Sequence, residues 1–307
     1  MRILVVGAGA TGGYFGGRLA EAGRDVTFLV RPKRAEQVRQ DGLHLLSPHG
    51  DVTLHPQLVT ADRIAAPYDV VLLTVKAFAL DAALTDVAPA VGADSMIIPL
   101  LNGMRHIDTL CARFGEAAVL GGVCLVAAML DAQGRIRQLA EFQQLVYGER
   151  SGEMSARVKA LDAVMQGAGF TARASETILQ EMWEKWILLA TLGSITCLLR
   201  GTVGDIEAAP GGAALALEVL GECVSVATRS GYPPSDAFLE RTKSSVTAKG
   251  SPSAPSMYRD LTQGLPVEAD QIVGDMLARA RGFGIAAPIL TAAYAHLAIY
   301  LRRLAAA

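Results

Sequence analysis

The chain is expected to form two domains: an α/β domain with a doubly wound, mainly parallel sheet over residues 1–173, and an all-α domain over residues 174–307. Three observations predict this. A length of 307 residues exceeds the usual size of one core. Short β-branched runs alternate with helical patterns as far as about residue 173. Beyond about residue 174 the strand patterns stop and helical ones take over.

The strand candidates, in order, are RILVV, DVTFLV, DVVLLTV, SMIIPL and AAVLG. DVVLLTV and SMIIPL are apolar on both faces, as strands covered by helices on both sides should be. The segment CLVAAMLDAQGRIRQLAEFQQLVYGE, with a turn signal at Gln133-Gly134, is expected to extend that sheet with antiparallel edge strands. Helical patterns then occupy 176–199, 211–230, 234–247, 256–262, 267–282 and 288–306, punctuated by Gly211-Gly212, Pro233-Pro234 and the SPSAPS segment.

Composition narrows the function classes. Hydrophobic residues make up 51% of the chain, charged residues 19%, and the net charge is −2, which offers no basic surface to nucleic acid or anionic lipid. A soluble protein acting on a small molecule fits this balance. Cys111, Cys124, Cys197 and Cys223 lie far apart with no CxxC pair, which suits a reducing cytoplasm. The histidines show no ligand spacing, and no metal is expected. Glycines interrupt the apolar N-terminal run, so it does not read as a secretory signal. Phe283 to Leu301 lacks acidic and basic residues, yet Pro288, His296 and two tyrosines make it a buried helix rather than a membrane span.

The strongest local motif is Gly7-Ala8-Gly9-Ala10-Thr11-Gly12, which joins the strand RILVV to the helix TGGYFGGRLAEAG. There Gly7 permits a tight turn, Gly9 lets backbone approach a pyrophosphate, and Gly12 allows close helix packing, the pattern of a dinucleotide-binding Rossmann domain. Ala10 and Thr11 open the helix whose free N–H groups and dipole favour the phosphates. The second strand ends in Arg31-Pro32-Lys33-Arg34 with no acidic residue to hold a ribose diol. A guanidinium at Arg31 suits a 2′-phosphate, so NADP(H) is the expected cofactor.

Lys76 and Asn102 lie just past the carboxyl ends of DVVLLTV and SMIIPL, the edge along which ligands bind in open α/β sheets; either could also be an ordinary loop residue. Lys185 stands between Trp183 and Trp186, at the start of a run that stays uncharged to Leu199. It reads either as a surface partner of Glu181 at i,i+4 or as a partly buried lysine suited to acid–base work. Glu268 follows Pro266 in the expected first turn of a helix, where a carboxylate is favoured by the dipole without any function.

Together these residues resemble the ketopantoate reductase (2-dehydropantoate 2-reductase) family over essentially the whole chain. The resemblance is carried by GAGATG, TVKA at 74–77, LNGMRH at 101–106, ExWEK at 181–185, LRGTVGDI at 199–206 and SMxxDLxxGxxVExDxIxG at 256–274. It implies a Rossmann domain, a helical domain and an active site in the cleft between them. It further implies that Lys185 is the catalytic lysine that protonates the carbonyl oxygen. Glu268 is implied to contact the substrate or position that lysine, and Ser256 to bind substrate. Asn102 and Lys76 correspond to residues near nicotinamide and substrate, and Glu268 is grouped with them at the cofactor.

The implied reaction moves a hydride from NADPH to C2 of a 2-oxo acid, by default 2-dehydropantoate in pantothenate synthesis. One departure stands out. The family often carries asparagines four and eight residues after the lysine, where this chain has Leu189 and Gly193. A less polar 2-oxo acid is therefore the alternative substrate. A non-catalytic NADP(H)-binding sensor is the alternative from another class, although it would not be expected to keep both Lys185 and Glu268. The apolar stretches Leu215 to Leu220 and Leu290 to Tyr300 fit either core packing or a homodimer through the helical domain.

Overall fold

A computed structural model describes residues 1–306, and the chain divides into two compact units, Met1–Leu101 with His106–Leu179 and Asn102–Arg105 with Gln180–Ala307. In the first unit the elements run β1 (Ile3–Val6), α1 (Ala10–Glu21), β2 (Val26–Leu29), α2 (Pro32–Asp41), β3 (Leu43–Leu46), β4 (Val52–Leu54) and β5 (Gln57–Val59). They continue with β6 (Val70–Leu73), α3 (Leu80–Val87), β7 (Met96–Pro99), α4 (Arg105–Phe114), β8 (Gly121–Leu130), β9 (Ile136–Gly148), α5 (Ala156–Met165) and β10 (Thr171–Ala174).

Five strands form a wholly parallel sheet in the order β5-β2-β1-β6-β7. Every side chain of β1 and β6 is buried, and at roughly 1.5–3 kcal/mol for each fully buried aliphatic chain this centre is the rigid part of the unit. The strand order reverses between β1 and β6, so the loops after these two strands diverge at a switch point where ligands bind in such sheets.

The hairpin β8–β9 forms as expected, with Gly134 at φ +74° in its turn and the Gly134 N–H bonded to the Asp131 carbonyl. It does not extend the first sheet. It belongs to a second sheet ordered β10-β9-β3-β4, with β8 antiparallel to β9. AAVLG is also not a strand: Glu116–Ala118 is a 3₁₀ turn and Val119 makes a single bridge to Ile97.

The reason for two sheets lies in α1. A side chain at Gly16 would meet Phe28 and Val5 of the first sheet, whereas one at Gly13 would meet Ile136 and one at Gly17 would meet Leu45, both of the second. The helix is narrow on two faces, and a sheet packs closely against each.

The second unit contains α6 (Ile178–Leu199), α7 (Val203–Ala208), α8 (Gly212–Arg229), α9 (Asp236–Val246), α10 (Ser256–Thr262), α11 (Asp275–Gly282) and α12 (Pro288–Ala306). The helix expected over 267–282 is composite: Asp270–Gly274 is a π-helical turn that runs into α11. α6 is apolar on all sides because it is a core helix. By length and composition it is the one described helix that could cross a membrane, and 67% of its apolar window is buried inside the protein. Two of its buried hydroxyls are satisfied locally, Thr191 donating to the Ile187 carbonyl at 2.8 Å and Thr196 to the Leu192 carbonyl at 2.6 Å, whereas the buried Ser194 hydroxyl has no hydrogen-bond partner. Thr202 and Asp205 form a capping box that starts α7. Glu222 accepts from the Ile289 and Leu290 N–H groups and so caps α12 from a neighbouring helix.

None of the four cysteines forms a disulfide. Burial pushes the thiols of Cys197 and Cys223 up to about 12, while Cys111 is the least buried of the four. Alkylation of the native protein at pH 8 is therefore expected to reach Cys111 first and to spare Cys197 and Cys223 until denaturant is added. Peptide mass mapping checks this, and rapid modification of Cys197 in the native state would contradict the packing of α6.

Candidate active site

The glycine loop has the shape its sequence requires. Gly7 takes φ +97°, Gly9 caps α1, and the space a side chain would occupy at Gly9 is open to 4 Å. At Gly12 the opposite holds, since a Cβ would collide with Thr74 Oγ1 and the Gly7 carbonyl. Thr74, just past β6, donates to the Val6 carbonyl at 2.7 Å and closes the loop from the far side of the switch point. The result is an open cradle over the first turn of α1, which fits the pyrophosphate of a dinucleotide.

Arg31 caps α2 and is exposed, with Pro32 in the first helical position. Arg34, which the sequence singled out only as part of a basic turn, has a larger structural part. Its guanidinium donates to Gln37 at 2.8 Å, the Gly134 carbonyl at 2.9 Å and the Ala8 carbonyl at 3.2 Å, tying α2 to both the hairpin tip and the glycine loop. Burial lowers its pKa, and its Nε has no hydrogen-bond partner. All three acceptors are uncharged, so the positive charge beside Ala8 is not neutralised by them. An open depression of about 540 Å³ beside it is lined by Lys33, Arg34, Gln37, Leu130 and Asp131. Lys76 also lies in this unit, exposed three residues beyond β6 at the start of a 3₁₀ turn.

The remaining residues singled out from sequence belong to the second unit. Asn102, Lys185, Ser256 and Glu268 are all grouped there, although Asn102 follows a strand of the first. Lys185 is half-buried on α6, Ser256 is the half-buried first residue of α10, and Asn102 is half-buried. Glu268 immediately precedes the helical stretch that opens at Ala269; it is only 5% exposed, and its carbonyl accepts from the Ile272 N–H at 3.2 Å. A carboxyl group is rarely this buried unless it is paired.

The π-helical turn, two residues after Glu268, is touched by the segments that carry Asn102 and Lys185. Gly103, at φ +83°, lies so close to the turn that a Cβ there would collide with the Gln271 carbonyl. Trp186, next to Lys185 and 1% exposed, donates its indole N–H to the Ile272 carbonyl at 2.9 Å. Tyr294 donates to Asp270 at 2.7 Å. Around Lys185, the Trp183 ring stacks on Tyr232, and the Arg279 guanidinium lies 5.5 Å from both indoles. A second feature bears on the ligand. A side chain at Gly193 would collide with the methyl of Met257, so the thioether of α10 fills the space beside α6 two turns beyond Lys185.

A parallel sheet with its glycine loop at the switch point, in a chain that also has a helical unit carrying a half-buried lysine and a buried glutamate, is the make-up of a dinucleotide-dependent oxidoreductase. The comparison with known proteins gives the particular kind. The family model "Ketopantoate reductase PanE/ApbA" matches residues 3–152 and "Ketopantoate reductase PanE/ApbA C terminal" matches residues 177–300. The chain belongs to the ketopantoate reductase family. It is 38% identical to the uncharacterized oxidoreductase YkpB of Bacillus subtilis, covering 98% of this chain and 99% of that protein. It is 30% identical to a 2-dehydropantoate 2-reductase of Mesorhizobium japonicum, over 89% of each chain. Among solved structures, a 2-dehydropantoate 2-reductase from Geobacter metallireducens superposes with a TM-score of 0.87 at 29% identity, covering 97% of this chain and 99% of that one.

The geometry at Gly12 leads to a direct test. Gly12→Ala must push apart the Gly7 carbonyl and Thr74, at a cost of roughly 1–3 kcal/mol. Thermal unfolding is expected to show a lower Tm, and dinucleotide titration a weaker affinity. A variant with the parent's Tm and affinity would show that the loop is not closed as described.

Proposed function

We propose that this chain is an NADPH-dependent reductase of a 2-oxo acid, with 2-dehydropantoate as the substrate that membership of the family supports. The observation that carries the reading is the buried carboxyl of Glu268 in the same unit as Lys185, Asn102 and Ser256. When bound, NADPH supplies the hydride. Lys185 gives its proton to the carbonyl oxygen, and its charge stabilises the alkoxide that develops there. Asn102 and Ser256 donate hydrogen bonds that orient the 2-oxo acid, while Glu268 holds Lys185 or a substrate hydroxyl. Lys76, exposed on the first unit, contributes a cation near nicotinamide and substrate. The glycine loop from Gly7 to Gly12 holds the pyrophosphate, and Arg31 faces the 2′-phosphate with the charge of Arg34 behind it. A cytoplasmic setting and a place in pantothenate synthesis complete the reading, and four cysteines outside any disulfide agree with a reducing compartment.

A second substrate reading has its own observation. Leu189 and the Met257 thioether at Gly193 make the face beyond Lys185 apolar, with no amide to bind a hydroxyl. This favours a 2-oxo acid with a less polar side chain than ketopantoate.

Two measurements test these statements. Lys185→Ala is expected to lower kcat by about 10²–10⁴, and Arg31→Ala to weaken NADPH at least about tenfold with little effect on NADH. Parent-like turnover by the lysine variant would remove its role. In a panel of 2-oxo acids followed by NADPH oxidation, the highest kcat/KM for ketopantoate supports the first substrate. A higher value for branched or aromatic analogues supports the second, and no oxidation with any of them would leave only a binding protein.

A further inference from the structure

We infer that Trp186 is a positioning residue for the reaction: acting through the backbone of Ile272, its indole N–H sets where Glu268 stands relative to Lys185. The inference rests on the roles proposed for Lys185 and Glu268 and adds a residue to which the sequence assigned no part. Trp186 is adjacent to Lys185 on α6, so its ring and the lysine share one stretch of rigid helix. Its Nε1 reaches the Ile272 carbonyl at 2.9 Å, and the N–H of the same residue donates to the Glu268 carbonyl at 3.2 Å. Two hydrogen bonds through one residue thus connect the neighbour of the lysine to the backbone of the glutamate.

The element in the middle is a π-helical turn, Asp270–Gly274, in which the Asp275 N–H bonds the Asp270 carbonyl five residues back. Such turns occur mostly as single insertions and are frequent at functional sites. This one is held from several directions: Tyr294 takes Asp270, Gly103 abuts Gln271, and Trp186 takes Ile272. The Gly103 contact places Asn102, the residue before it, against the same turn. Trp186 itself cannot drift, because it is 1% exposed and packed on Trp183, with Arg279 above both rings. A shift of the π turn would therefore move Glu268 and Asn102 while Lys185 stayed on α6, and misplacement of about 1 Å is enough to cost a large factor in rate.

The test removes the N–H, in one variant with a smaller ring and in the other with the bicyclic shape kept. Trp186→Phe, and benzothienylalanine incorporated at position 186 as an isostere without a donor, are assayed with NADPH and the best 2-oxo acid, alone and with Glu268→Gln. Both variants are expected to lose at least about tenfold in kcat, with the KM for NADPH within about twofold of the parent. In the Glu268→Gln background the same change is expected to cost less than about threefold, because the carboxylate it positions is gone. Two results would overturn the inference: parent kcat in the benzothienylalanine protein, or an equal loss with and without Glu268. Parent-like turnover by Glu268→Gln alone would instead overturn the reading of the glutamate on which the inference rests.

Discussion

The hydrogen bond from the Trp186 indole to the Ile272 carbonyl joins the two segments on which the candidate chemistry depends. A π turn changes which carbonyls are paired within the helix, and a buried polar group left unpaired costs about 1–3 kcal/mol. The indole donor bonds one of the turn's carbonyls and thereby links α6 to the turn that follows Glu268. Gly103 brings the loop after β7 against the same turn, because no residue with a side chain could come so near Gln271. A lysine, a glutamate and an asparagine far apart in sequence are thus referred to one short piece of backbone.

The first unit depends on a different economy of space. α1 carries glycine on two faces, and each pair lets a sheet come close: Gly12 and Gly16 toward the parallel sheet and its loops, Gly13 and Gly17 toward Ile136 and Leu45. The dinucleotide loop is therefore held by Thr74 on one side, by Arg34 on another, and by the helix it opens. Arg34 links the loop to α2 and to the hairpin tip in one guanidinium, which makes the second sheet part of the glycine loop's support.

Local patterns in the sequence were enough to find β1, β2, β6 and β7, the turn at Gly134, and most helices of the second unit, because each is set by periodicity and turn chemistry within a few residues. The parts that escaped depend on distant partners. The second sheet exists because β9 pairs with β3 and β10, a long-range choice that the pattern of CLVAAMLDAQGRIRQLAEFQQLVYGE does not encode. The π turn looks like ordinary helix in DQIVG and is visible only once Trp186 and Tyr294 are seen to grip it. The site divides in the same way. Gly7, Gly9 and Gly12 declared themselves by spacing, whereas the burial of Glu268 and the thioether of Met257 beside Gly193 are consequences of helix packing. The doubled glycines of α1 were a signal in plain view, since such pairs four residues apart leave two faces of a helix bare.

The chemistry attributed to this fold comes down to one transfer, and it can be followed atom by atom. NADPH deuterated at nicotinamide C4 is incubated with the protein and a 2-oxo acid, and the product is examined by mass spectrometry and NMR. A 2-hydroxy acid carrying deuterium at C2 is the predicted product. Formation of no 2-hydroxy acid, or of one without deuterium at C2, would contradict the account.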